Sequence, residues 1–171
     1  MNHYLALTII ADDRPGIVEK VADMVASHGG NWLESNMSRL AGKFAGILLV
    51  DIAENKQADL LTALETLNTQ GIRVSGEASK VTETTAGEHL GLMVVGNDRP
   101  GIVGELSSLL AKLHVNVEEL STNCEDAPMS SETLFRATAK VSLPASGLSK
   151  EQLQEALEAL SDDLMVEFEG I

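Results

Sequence analysis

The hexapeptide Asp13-Arg14-Pro15-Gly16-Ile17-Val18 recurs letter for letter as Asp98-Arg99-Pro100-Gly101-Ile102-Val103, 85 positions later. Each copy follows an apolar run, Leu5 to Ile10 or Leu90 to Val95, and precedes a segment with helical spacing of apolar residues. An identity of this length at equivalent places makes the chain a tandem repeat of one unit. The 171 residues then divide into two small domains, expected at 1–80 and 88–171 with a linker over 81–87. Domains of this size bury a modest fraction of their surface, so each has reason to pack or to associate.

The pattern within a repeat sets its fold. Leu5, Leu7 and Ile9 mark a strand. Ile17, Val21, Met24 and Val25 form one helical stripe, ended by His28-Gly29-Gly30-Asn31 with glycine in the left-handed place. Trp32 to Leu40 and Phe44 to Ile52 predict two strands joined by a hairpin at Ala41-Gly42-Lys43. Leu60, Leu61, Leu64 and Leu67 mark a second helix, and Ile72 and Val74 a short fourth strand. The second half repeats the order, with its second strand expected over Val115 to Asn123, an acidic loop over Cys124 to Ser131, and a last strand at Leu164, Val166 and Phe168. Strand–helix–strand–strand–helix–strand is the ferredoxin-like βαββαβ unit. The expected class is therefore α+β: two such units in tandem. In each, a four-stranded antiparallel sheet has its first and third strands central and both helices on one face.

Charge and composition narrow the function. Residues 1–80 carry net −3 and residues 81–171 net −11. No basic cluster exists to neutralise phosphates, so direct nucleic-acid binding and anionic membranes are disfavoured. One cysteine, Cys124, allows no intramolecular disulfide and fits a reducing cytoplasm. The start of the chain carries no signal-peptide pattern, and no apolar run approaches a membrane span. His3, His28, His89 and His114 lack ligand spacing, and neighbouring acids such as Glu118 and Glu119 accompany no base. No catalytic residue, metal site or cofactor is expected.

The repeated turn admits two readings. In one it is a capped strand-to-helix junction, with Asp13 or Asp98 as N-cap and proline in the first helical turn. Glycine is poorly explained by that reading, because it costs up to about 1 kcal/mol against alanine in a helix. In the other, Gly16 and Gly101 leave room for a ligand. The free N–H groups at Ile17, Val18, Ile102 and Val103 then form an anion site. Asn31 and Asn116, at matching places after each first helix, are either ligand contacts or helix-exit residues in left-handed geometry.

The Asp-Arg-Pro-Gly-Ile-Val turn between first strand and first helix, the element order and the asparagines resemble the ACT-domain family. Two units and nothing else are similar to the glycine cleavage repressor family. The resemblance implies a non-catalytic regulator that binds a free amino acid, glycine or another small one, and acts on a DNA-binding activator protein rather than on DNA. Carried over by position, the ligand residues are Asp12, Asp13, Arg14, Pro15, Gly16, Ile17, Val18 and Asn31. In the second half they are Asn97, Asp98, Arg99, Pro100, Gly101, Ile102, Val103 and Asn116. Asn97 in place of Asp12 makes the two sites unequal. A homodimer is expected from the uncovered strand edges. A regulatory subunit of a metabolic enzyme, or an interaction module without a ligand, are the alternatives.

Overall fold

The computed structural model describes residues 3–80 and 87–169; the expected linker, 81–87, lies outside them but for Gly87. Contacts divide the chain into two compact units, Met1–Glu83 and Thr84–Ile171. The first unit runs β1 (Tyr4–Asp12), α1 (Ile17–Ser27), β2 (Asn31–Leu40), β3 (Lys43–Asp51), α2 (Glu54–Glu65), a 3₁₀ turn (Thr66–Gln70) and β4 (Ile72–Ser79). The second runs β5 (His89–Asn97), α3 (Ile102–Lys112), β6 (Asn116–Asp126), β7 (Thr133–Ser142), α4 (Lys150–Glu158) and β8 (Met165–Glu169). The sheets are ordered β2-β3-β1-β4 and β6-β7-β5-β8, all pairs antiparallel. The first and third strands of each unit are central, as the βαββαβ reading requires.

Alternation places the core on one face. Leu5, Leu7 and Ile9 of β1 are buried with Val21 and Val25 of α1 and Leu60 and Leu64 of α2. Thr8 and Ile10, which alternate with them, are exposed. In the second unit Leu92, Val94, Leu106, Leu110, Leu153 and Leu157 share one cluster. The first core is aliphatic, with Trp32 packed against its edge, and the second adds Phe135 to its aliphatic residues. Among the described residues no helix is long and apolar enough to cross a membrane.

Three local expectations change. β6 continues beyond Asn123 because Cys124, Glu125 and Asp126 pair with Phe135, Leu134 and Thr133, so part of the expected loop is strand. β4 is not short: its pairing with β1 extends to Tyr4↔Ser79. The left-handed residue after each first helix is Gly29 (φ 77°) or His114 (φ 57°), so Asn31 and Asn116 simply begin β2 and β6. A bulge follows each of them, at Trp32/Glu34 and at Val117/Glu119.

Candidate functional site

β1 ends at Asp12, and the Asp13 N–H bonds the Gly42 carbonyl at 2.9 Å, tying the turn to the β2–β3 hairpin. Gly16 has φ 91° and ψ 0°, and Gly101 has φ 89° and ψ −3°. These are the angles of the third residue of a type II turn, with proline in the favoured second place. In the second unit the turn closes through Ile102 N–H to Arg99 C=O at 3.3 Å. The glycine is therefore demanded by left-handed backbone, whereas the sequence reading had placed it inside the helix. A Cβ at Gly16 or Gly101 would meet nothing within 4 Å, so the space beside each turn is open.

The N-cap assignment also changes. Gly16 and Gly101, not Asp13 and Asp98, precede the first helical residues, and neither α1 nor α3 has a side-chain cap. The first helical bonds are Lys20 N–H to Gly16 C=O at 3.1 Å and Glu105 N–H to Gly101 C=O at 3.0 Å. The N–H groups ahead of these lack partners within the helix. α4 differs: Ser149 and Gln152 close a capping box across its start.

In the first unit a depression of about 220 Å³ lies against the turn, lined by Asp13, Arg14, Gly16, Ile17, Val18, Glu19 and Phe44. That is below the roughly 300–1,000 Å³ of drug-sized ligand sites and suits a small amino acid. Arg14 is the cation of its lining, and Lys20, Arg39 and Lys43 stand beside the turn. Arg14 donates to the Gln70 carbonyl, Lys20 to Gln70 Oε1 at 2.6 Å, Lys43 to Asp12, and Arg39 stands 3.5 Å from Asp13. The Lys43 hydrogen bond holds the Asp12 carboxyl below its ordinary range. Glu19 and Phe44 escaped the sequence reading. Glu19 is the acidic residue of the first helical turn, and Phe44 sits opposite Ala11 at the end of β3.

The second turn has other chemistry. Lys20 is replaced by Glu105, Arg39 by Cys124, and Lys43, which pairs with Asp12, by Leu134, which pairs with Asn97. Arg99 is held by Glu105 through two bonds of 2.5 and 2.7 Å. That pairing raises the Arg99 pKa and lowers that of Glu105. Asn97 N–H is occupied by Asp163 Oδ2 at 2.7 Å. The Cys124 thiol is pushed up by desolvation and by the adjacent Asp98. Arg14, Lys20, Arg39 and Lys43 flank the first turn, where the second keeps Arg99.

Asn31 is not brought to the turn of its own unit. Asn31 pairs with Asp51, whereas Asp12 pairs with Lys43 at the other end of β3. Eight residues of strand separate the two places, about 26 Å at roughly 3.3 Å per residue. Asn116, opposite Ser142 while Asn97 faces Leu134, is removed in the same way.

The comparisons agree with this architecture. The ACT domain family profile matches residues 3–80, the first unit. The glycine cleavage system transcriptional repressor of Escherichia coli (strain K12) is 26% identical over 170 residues, 95% of this chain and 86% of that protein. A UPF0237 protein of Methanopyrus kandleri is 37% identical over 83 residues, 46% of this chain and 84% of its own length. The crystal structure of a candidate glycine cleavage system transcriptional repressor covers 100% of this chain and 99% of its own, with a TM-score of 0.73 at 19% identity. It shares the fold. The chain belongs to the ACT-domain family, built as a tandem of two such units.

Proposed function

We propose that this chain is a non-catalytic, amino-acid-responsive regulator. It binds a free small amino acid at the Asp13–Val18 turn and represses transcription through a DNA-binding activator protein in the cytoplasm. The observation that carries the regulatory part is the likeness to the E. coli repressor along both units. The ligand part is supported by uncapped N–H groups at the start of α1, the depression beside them and the cations beside the turn. A carboxylate there gains roughly 0.3–1 kcal/mol from the helix dipole, beyond its hydrogen bonds. Glu19 offers a carboxylate to the ammonium group, since Asp12 is engaged by Lys43 and Asp13 by Arg39. Of the sixteen positions taken over by resemblance, Asp13, Arg14, Gly16, Ile17 and Val18 line the depression. The second turn, self-paired through Arg99 and Glu105, is the weaker site. Two copies of the chain associate as a homodimer, which sedimentation tests directly.

The test has two arms. Calorimetry with free amino acids should give saturable binding at millimolar concentration or tighter, roughly −4 kcal/mol or better. A promoter reporter driven by the DNA-binding activator should lose output when the chain is present, to an extent that the free amino acid alters. Binding without any effect on transcription would leave an amino-acid-binding protein that is not a repressor. No binding by any amino acid would remove the ligand reading.

A further inference from the structure

The two units differ beneath their first helices. In the first, Trp32 and Met37 of the edge strand β2 lie over the core. Gly46 on β3 makes room for Met37, because a Cβ there would stand 2.6 Å from Met37 Cγ. The equivalents in the second unit are Val117, Thr122 and Ala137, with Ala139 in place of Leu48. Val117, Thr122 and Ala139 are smaller than their counterparts and leave a groove between α3 and β6, floored by Phe135 and Ala139 and edged by Val103, Leu106, Val117 and Leu120. Val103, Val117 and Leu120 are 41%, 39% and 53% exposed. The groove narrows to about 40 Å³, space for a side chain and far below the roughly 300 Å³ at which small-molecule pockets begin.

One wall of this groove is also a free strand edge. β6 is outermost in its sheet, and all eleven of its residues are exposed. It holds no lysine or proline, and beyond the bulge at Val117/Glu119 only its acidic side chains guard the edge. Its two faces differ. Val117, Leu120 and Thr122 pair with the core residues Val141, Ala139 and Ala137, on the helix side. Glu119, Ser121, Asn123 and Glu125 pair with Lys140, Thr138, Arg136 and Leu134, on the open side. Glu119 and Glu125 meet Lys140 and Arg136 through Oε1 alone, which leaves the second oxygen of each for another donor.

We propose that β6 and the groove behind it receive an extended segment of a protein partner, one whose side chains alternate between large apolar and Lys or Arg. The segment adds as a fifth strand, its main chain bonding the β6 edge and one apolar side chain entering the groove. Its basic residues lie over Glu119 and Glu125. Pairing β6 with the β6 of a second copy fits poorly, since the two edges would set these carboxylates beside each other, and residues 81–171 carry net −11. The partner is the one invoked under the proposed function, and the inference rests on that reading for its existence.

The probes are two capped hexapeptides, Lys-Val-Lys-Leu-Lys-Thr and Glu-Val-Glu-Leu-Glu-Thr, titrated into the isotope-labelled full chain. The basic peptide should shift the β6 amides and the Leu120 and Val103 methyl groups, more weakly as salt rises, and the acidic peptide should not. Val117→Trp with Thr122→Met and Ala137→Gly, which copies the first unit, should fold and weaken the basic peptide by about tenfold or more. Glu119→Lys with Glu125→Lys should reverse the peptide preference while leaving the groove intact. Equal shifts by both peptides, or none at β6, would overturn the proposal. So would β6 amides already protected from exchange in a dimer of the unliganded chain. Glycine titrated into the same samples reads the Val18 amide separately, so failure of the amino-acid site and failure of the edge are distinguishable.

Discussion

Arg99 clasps Glu105 through two hydrogen bonds of 2.5 and 2.7 Å, and so sets a carboxylate where the first unit has Lys20. The guanidinium that could meet a ligand is neutralised by its own chain. Glu105→Lys removes the clasp and restores the first unit's cation. Calorimetry should then give a glycine stoichiometry rising from about one per chain toward two, with the first site's affinity unchanged. An unchanged stoichiometry would show that the Arg99–Glu105 pair does not close the second turn.

Two glycines of the second unit separate backbone from space. Neither Gly101 nor Gly104 would place a Cβ within 4 Å of a neighbour, yet only Gly101 has positive φ. Gly101→Ala should destabilise by about 1 kcal/mol, since alanine must occupy left-handed backbone. Gly104→Ala, inside α3, should stabilise by about 0.5–1 kcal/mol. Urea midpoints at constant slope read both. Equal effects of one sign would remove the conformational explanation of the repeated glycine.

Asp163 links stability to pH. Its carboxyl is held below the usual range by the Ser161 hydroxyl and by the Asn97 N–H. A depressed folded-state pKa contributes stability that is present above the unfolded value, about 3.9, and lost as pH falls through the lower folded value. The stability difference between wild type and Asp163→Asn should be constant above about pH 5 and shrink below about pH 4. A difference independent of pH down to the acid transition would show that the hydrogen bonds do not favour the charged form.

Trp32 closes in the first unit the groove that the second unit leaves open. Trp32→Val should cost about 2 kcal/mol by urea denaturation, less than a fully buried tryptophan because the ring sits at the core edge. A near-zero cost would mean that Trp32 contributes little to the first core.

Strand and helix alternation made the fold legible. Leu5, Leu7 and Ile9 mark the inner face of β1, and Leu153 and Leu157 the inner face of α4, by spacing alone. Where β6 ends was not legible, because Cys124 to Asp126 are polar and exposed and only their pairing with β7 makes them strand. The turn was found by repetition and misread in detail. A Pro-Gly pair fits both a type II turn and a helix start, and the sign of φ at glycine is invisible in the letters. The electrostatic difference between the two turns arises from Lys43, Arg39 and Lys20, residues distant in sequence that converge only when β3, β2 and α1 meet. Asn31 matched its repeat partner in sequence, but register puts it at the far end of the sheet.

The most direct test of an amino-acid-responsive first turn is a glycine titration of the full chain, repeated with each other free amino acid and followed by backbone amide shifts. The expected result is a saturable shift at Val18 and Glu19 at or below roughly millimolar ligand, with Val103 and Gly104 moving little or not at all. Equal shifts at both turns would contradict the assigned inequality, and no shift at Val18 or Glu19 with any amino acid would contradict the ligand site itself.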